Sequence, residues 1–114
     1  MAAADCIFCK IVAGEIPATL VKRTDRLVAF RDVGPQAPVH VLVIPTEHLA
    51  SLEDVQDGRL LGEMLMLARD IAREEKIAED GYRVVLNTNK NGGQTVFHLH
   101  LHLLGGRRLT WPPG

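Results

Sequence analysis

The densest chemistry in the chain lies in Phe97-His98-Leu99-His100-Leu101-His102-Leu103-Leu104, where three histidines alternate with leucines. Alternation at this period predicts a half-buried β-strand, with leucines toward a core and imidazoles sharing the opposite face. Neighbouring imidazoles on such a strand stand roughly 6.7 Å apart, and the outer two roughly 13 Å apart. A metal ion reaches a ring nitrogen at about 2.0–2.1 Å, so one ion cannot easily take all three. The row is therefore expected to divide its work. A purely structural role fits poorly, because imidazole is polar and gives less apolar burial than valine or leucine.

Other reactive side chains lie elsewhere in the chain. Cys6-Ile7-Phe8-Cys9 has the spacing of a metal-binding pair, a weak signal alone, since two buried thiols pack equally well. His40 interrupts the apolar run Val39–Ile44 and needs a polar partner if buried. His48 lies beyond Pro45, and Asp32 ends an apolar segment, where a carboxylate can accept hydrogen bonds from a ligand's hydroxyl pair. Asn87-Thr88-Asn89-Lys90-Asn91-Gly92-Gly93-Gln94-Thr95 is a polar loop entering the histidine row. Gly92 and Gly93 permit positive φ and close backbone approach. As a ligand-facing loop it would bring Gly93 and Gln94 to the substrate, with Asn87 and Thr95 donating to phosphate oxygens. As an ordinary tight turn it would do neither. It lacks the Gly-Lys-Ser/Thr ending of a phosphate-binding P-loop.

Two assemblies follow. In one, Cys6, Cys9, His48 and His98 surround a tetrahedral zinc, a closed structural site. His40, His100 and His102 then remain with Asn87 and Thr95 for phosphoryl chemistry, an imidazole attacking phosphorus while the others stabilise charge. In the rival, His100, His102 and His40 bind a catalytic metal whose water is the nucleophile. A non-catalytic nucleotide-binding module is the third possibility. Chelator sensitivity separates the first two, and trapping of a covalent adduct separates the third.

These residues need elements to hold them. Asp5 is expected to cap a short helix through about Ala13, with Gly14 as its stop. Thr19–Arg23 and Leu27–Arg31 read as a hairpin about Thr24-Asp25-Arg26, and Val39–Ile44 as a central strand. One long helix is expected from Asp57 to about Lys76. Leu60, Leu61, Met64, Leu65, Ala68, Ile71 and Ala72 form its inner stripe, and the methionines serve packing. Arg83–Leu86 is a further strand. The tail, residues 105–114, is too small to fold alone and should pack on its own domain or on a second copy.

Composition sets the bounds. A length of 114 residues and 46% apolar content suit one domain, 1–114. A net charge of −1 gives no basic surface for nucleic acid. The two cysteines are not a secreted disulfide framework, no signal-peptide pattern opens the chain, and no apolar run approaches the ~20 residues of a membrane span. A cytoplasmic protein with no nucleic-acid or membrane partner is the expectation.

His98-Leu99-His100-Leu101-His102-Leu103-Leu104 resembles the His-x-His-x-His-x-x signature of the histidine triad (HIT) superfamily. Phe30-Arg31-Asp32, Pro35-Gln36-Ala37-Pro38-Val39-His40, Val43-Ile44-Pro45, Gly92-Gly93-Gln94-Thr95 and Gly105-Gly106-Arg107 agree with it. The ending Trp111-Pro112-Pro113-Gly114 looks like the Hint branch, the histidine triad nucleotide-binding proteins, and Asp5-Cys6-Ile7-Phe8-Cys9 looks like its zinc-carrying members. The resemblance implies an α+β fold with a five-stranded antiparallel sheet, and a homodimer whose sheets join. It implies hydrolysis of purine nucleoside 5′-phosphoramidates, or of aminoacyl adenylates. His100 would be the nucleophile, forming a nucleotidyl-histidine, and His102 would bind phosphate with Asn87 and His40 in support. Asp32 would hold the ribose hydroxyls. Phe8, Phe30 and Val33 would line the base pocket, and the tail would approach the partner's site. Thr95 stands where the branch usually has serine; it keeps the hydroxyl and adds a methyl.

Overall fold

The computed structural model describes residues 3–114. The elements are α1 (Ile7–Val12), β1 (Leu20–Arg23), β2 (Leu27–Arg31), β3 (Val39–Pro45), a 3-10 turn (Leu52–Asp54), α2 (Gly58–Glu74), β4 (Tyr82–Val85), α3 (Asn89–Gly92) and β5 (Leu101–Gly105). All strand pairings are antiparallel, in one five-stranded sheet of order β1-β2-β3-β5-β4. The α+β architecture expected from the chain is present.

The pleat sorts the sheet into two faces. Leu27, Ala29, Val41, Val43, Leu101 and Leu103 point one way and bury against Leu60, Met64, Leu67, Ala68, Ile71 and Ala72 of α2. Val28, Phe30, Leu42 and Ile44 point the other way and bury against Phe8 of α1. Opposite-face side chains at successive positions follow from the two-residue strand period. The α2 stripe differs at its margin from the expected one: Leu67 is in the core, while Leu65 and Met66 are about half exposed. Positions 60, 64, 67, 68, 71 and 72 lie on one side of a 3.6-residue helix, which rotates 65 and 66 outward.

The first helix is capped by Cys6 rather than Asp5. The Cys6 thiol accepts from the Cys9 backbone N–H, and Gly14 beyond the helix end has φ 78°. The polar loop is less irregular than its composition implies, because Asn89–Gly92 makes one helical turn, ended by Gly93 at φ 85°. Arg107 donates to the Gln36 carbonyl and Arg83 to the Thr110 carbonyl, fastening the start of the tail to its own domain, while Trp111 stays 80% exposed. No helix among the described residues is long and apolar enough to cross a membrane.

The histidine row itself is strand only in its second half. β5 begins at Leu101, opposite Val43, so His98 and His100 precede the ladder. The reason lies across the sheet. The Pro45 carbonyl receives the His98 ring, and the Leu99 N–H bonds to the Leu49 carbonyl at 2.7 Å. The leucines nevertheless stay in the core as expected, with Leu99, Leu101 and Leu103 all at 1% exposure or less.

Candidate functional site

At the His98 end, four ligand atoms converge. Cys6 Sγ and Cys9 Sγ lie 3.4 and 3.5 Å from His98 Nδ1, Cys9 Sγ lies 3.3 Å from His48 Nδ1, and the two Nδ1 atoms are 3.2 Å apart. A tetrahedral zinc with bonds of about 2.0–2.3 Å separates its ligand atoms by roughly 3.3–3.8 Å, so the cluster has zinc dimensions. His98 Nε2–H donates to the Pro45 carbonyl at 2.9 Å, and burial holds the ring's pKa down. A neutral ring with its proton on Nε2 turns a lone pair from Nδ1 into the cluster, the usual outer hydrogen bond of a metal-bound histidine. Burial pushes the Cys9 thiol up; a dication among the ligands inverts that preference and favours thiolate. Backbone N–H groups of Ala3 and Cys9 donate to the two sulfurs. The residues fit a four-coordinate zinc, which would tie α1 to the loops carrying His48 and His98.

His100 has a different arrangement. Its Nδ1–H donates to the His98 carbonyl at 2.7 Å, which fixes the tautomer and leaves the Nε2 lone pair free. Burial lowers its pKa, against the opposing effects of that hydrogen bond and of Asp32, so the ring is neutral near pH 7. Phe8 stands edge-on to it at 5.2 Å between ring centroids.

At the other end a chain of hydrogen bonds sets the remaining tautomers. The Gln36 backbone N–H donates to His40 Nδ1 at 3.0 Å. Neutral His40, its pKa lowered by burial, then carries its proton on Nε2 and donates to His102 Nδ1 at 2.9 Å. His102 is pushed down to about 4 by burial, with the neighbouring His100 and His40 adding to the effect, so it too is neutral and keeps its proton on Nε2. That N–H is a fixed donor toward the open side. Asp32 Oδ2 is 3.5 Å from His40 Nε2, and its Oδ1 accepts from the Gly34 N–H at 2.8 Å. The ligand atoms of Asp32, His40 and His102 lie within 4.8 Å of one another, a grouping that leaves His100 out, so the trio His40, His100, His102 of the metallohydrolase reading is not assembled.

The other expected residues are distributed as follows. Asn87 is half-buried and Thr95 is exposed, both on the loop leading into the histidines. Gln94 was expected at the substrate, yet its polar groups turn inward. Its Nε2 donates to the Ala50 and Val96 carbonyls and its Oε1 accepts from Asn89 N–H. Gly93 supplies the left-handed turn that makes this brace possible. Phe8 and Phe30 pack edge-to-face at 5.5 Å inside the second core, whereas Val33 is fully exposed beside a cleft of about 300 Å³ lined by Pro17, Ala18, Thr19, Arg31, Asp32 and Val33. Sequence reasoning missed the backbone groups that select the tautomers: the carbonyls of Pro45 and His98 and the N–H of Gln36. Only the proline at the end of an apolar strand hinted at them.

Residues 13–109 match the HIT domain family. The chain belongs to the HIT domain family. The purine nucleoside phosphoramidase of Escherichia coli (strain K12) is 50% identical to this HIT protein over 109 residues, covering 94% of this chain and 92% of that one. The 14 kDa zinc-binding protein of Zea mays is 46% identical over 112 residues, covering 95% and 87%. The crystal structure of a HIT family hydrolase from Legionella pneumophila Philadelphia 1 superposes with a TM-score of 0.94 at 54% identity, covering 96% of this chain and 100% of that one. On these relationships this HIT protein is a hydrolase.

Proposed function

We propose that the protein hydrolyses the P–N bond of purine nucleoside 5′-phosphoramidates, and the mixed anhydride of aminoacyl adenylates, through a nucleotidyl-histidine on His100. The observation that carries this reading is the 2.7 Å hydrogen bond from His100 Nδ1 to the His98 carbonyl. It aims an unprotonated Nε2 outward in a ring that burial keeps neutral. In the first step the Nε2 lone pair forms a bond to the α-phosphorus; in a phosphoramidate the P–N bond breaks and the departing nitrogen takes up a proton from solvent as amine, and in an aminoacyl adenylate the P–O bond breaks and the carboxylate leaves. In the second, water attacks the same phosphorus, the N–P bond to His100 breaks, and nucleoside monophosphate leaves. Splitting one displacement into two easier ones is the general gain of covalent catalysis. The Nε2–H of His102 donates to the phosphate oxygens, oriented through His40, while Thr95 and Asn87 donate from the loop. Asp32 accepts from the ribose hydroxyls, and Phe8, Phe30 and Val33 border the base. The similarity to a purine nucleoside phosphoramidase supports the substrate class.

Zinc in the Cys6–Cys9–His48–His98 cluster belongs to the same reading as a structural ion, supported by the ligand geometry and the zinc-binding relative. A homodimer joined sheet to sheet is also proposed. Among the described residues the outer edge of β4 has no partner strand, and Leu65, Met66 and Trp111 leave apolar surface exposed. The test is rapid-quench incubation with adenosine 5′-phosphoramidate labelled at phosphorus. An acid-labile, alkali-stable protein adduct is expected, absent in His100→Ala. Turnover without any adduct, abolished by chelator while the fold persists, would favour a metal-bound water instead.

A further inference from the structure

Phe8 sits between the two cysteines of the zinc-type cluster, on a helix of only six residues. One side of its ring faces His98, with centroids 5.9 Å apart and planes at 70°; another faces His100, at 5.2 Å and 88°. Phe30 backs it at 5.5 Å. His98 is both a member of the cluster, through Nδ1, and the carbonyl acceptor for His100 Nδ1. Cluster and His100 are therefore joined twice, once through the His98 backbone and once through the Phe8 ring. Perpendicular aromatic contacts resist rotation of either ring, since turning one places like partial charges face to face. The Nδ1 bond alone does not hold the ring: without flanking packing the imidazole rotates off the His98 carbonyl, and once that bond opens its proton exchanges between the two nitrogens.

We propose that Phe8 is a positioning residue for His100, and that the Cys6–Cys9–His48–His98 cluster holds Phe8 against it. An ion in the cluster would fix the first turn of α1, through Cys6 and Cys9, together with the His98 backbone. Phe8 then confines the imidazole so that Nε2 faces outward. The role goes beyond closing the fold, because it sets the angle of one ring. It rests on His100 being the nucleophile only for its kinetic consequence; the ring's confinement is observable without substrate.

The experiment uses the full-length, zinc-loaded protein labelled with ¹⁵N in histidine, with Phe8→Leu and the milder Phe8→Met beside the wild type. Long-range ¹H–¹⁵N spectra are expected to show His100 as a single Nδ1–H tautomer in the wild type and as a tautomer mixture in both variants. The zinc-free wild type should shift toward the mixture as well. At saturating phosphoramidate, single-turnover formation of the nucleotidyl adduct should fall about tenfold in Phe8→Met, a loss of rate separate from any rise in KM that follows from the place of Phe8 beside the base. Three results would overturn the proposal: an unchanged His100 tautomer in Phe8→Met, an unchanged tautomer on zinc removal, or a raised KM with kcat intact, which would leave Phe8 a base-pocket wall only. If the tautomer responds but no adduct forms even in the wild type, the positioning stands and the covalent reading fails. Should Phe8→Leu not fold, Phe8→Met and the zinc-free wild type still decide.

Discussion

The two ends of the histidine row are built from similar parts and reach opposite outcomes. At one end His98 meets His48 and two thiols with every ligand atom pointing inward. At the other His102 meets His40 nitrogen to nitrogen, with one proton between them. The difference is set one bond away from the rings. The Pro45 carbonyl accepts from His98 Nε2–H and so leaves the Nδ1 lone pair facing the cluster. The Gln36 N–H donates to His40 Nδ1, so His40 keeps its proton on Nε2 and donates it in a hydrogen bond to His102 Nδ1. Between them, the His98 carbonyl accepts from His100 Nδ1–H and leaves the Nε2 lone pair unbonded. Imidazole is chemically ambiguous, and the backbone settles it ring by ring: His98 and His102 keep the proton on Nε2, and His100 between them keeps it on Nδ1.

Breaking the central position should have the largest effect. His100→Ala is expected to lower turnover by roughly a thousandfold or more while nucleoside monophosphate binding, followed by calorimetry, stays within a few fold. Retained turnover in a folded variant would remove His100 from the chemistry. The cluster end should respond in stability. Cys9→Ser is expected to reduce bound zinc from about one per chain to a small fraction, by elemental analysis. It should also cost about 4 kcal/mol or more of unfolding free energy in urea. A wild-type chain that is fully stable without metal would contradict the assignment.

The His102 end should show itself in pH dependence. Its pKa is about 4 in the folded protein, below the ordinary value of 6.5. Between those values the unfolded chain binds the extra proton. The stabilisation is therefore complete above pH 6.5 and is lost as pH falls toward 4. After allowance for the solvent that still reaches this half-buried ring, about 1–2 kcal/mol is at stake. Urea titrations of wild type and His102→Gln at several pH values should differ by that slope; parallel curves would refute it. The smallest change concerns Thr95. Thr95→Ser keeps the hydroxyl and should alter kcat by less than about threefold, whereas Thr95→Ala should lower it about tenfold. Equal rates for the two variants would take the hydroxyl out of the reaction.

Much of this architecture was legible beforehand. The leucine alternation placed Leu99, Leu101 and Leu103 in the core, and the strand spacing required His98 and His102 to serve different partners. The apolar run Val39–Ile44 gave the central strand. Three readings missed for identifiable reasons. Asp5 is a good cap by type, but the helix starts one residue later and the Cys6 thiol accepts from the Cys9 N–H in its place. Gln94 looked ligand-facing because polar loop residues usually face outward, yet this loop closes on itself and needs an internal donor. The strand was expected from Phe97, but the Pro45 carbonyl is engaged by a side chain and the ladder starts four residues later, at Leu101.

The amino-acid order by itself determined the strand period, the long amphipathic helix and the supply of imidazoles, thiols and loop donors, because these depend on residue type and short-range spacing. Which nitrogen of each ring carries its proton was decided only in three dimensions. That choice belongs to carbonyl and N–H groups on neighbouring segments, which residues other than proline carry alike whatever their side chain and which are therefore invisible in a string of side-chain names.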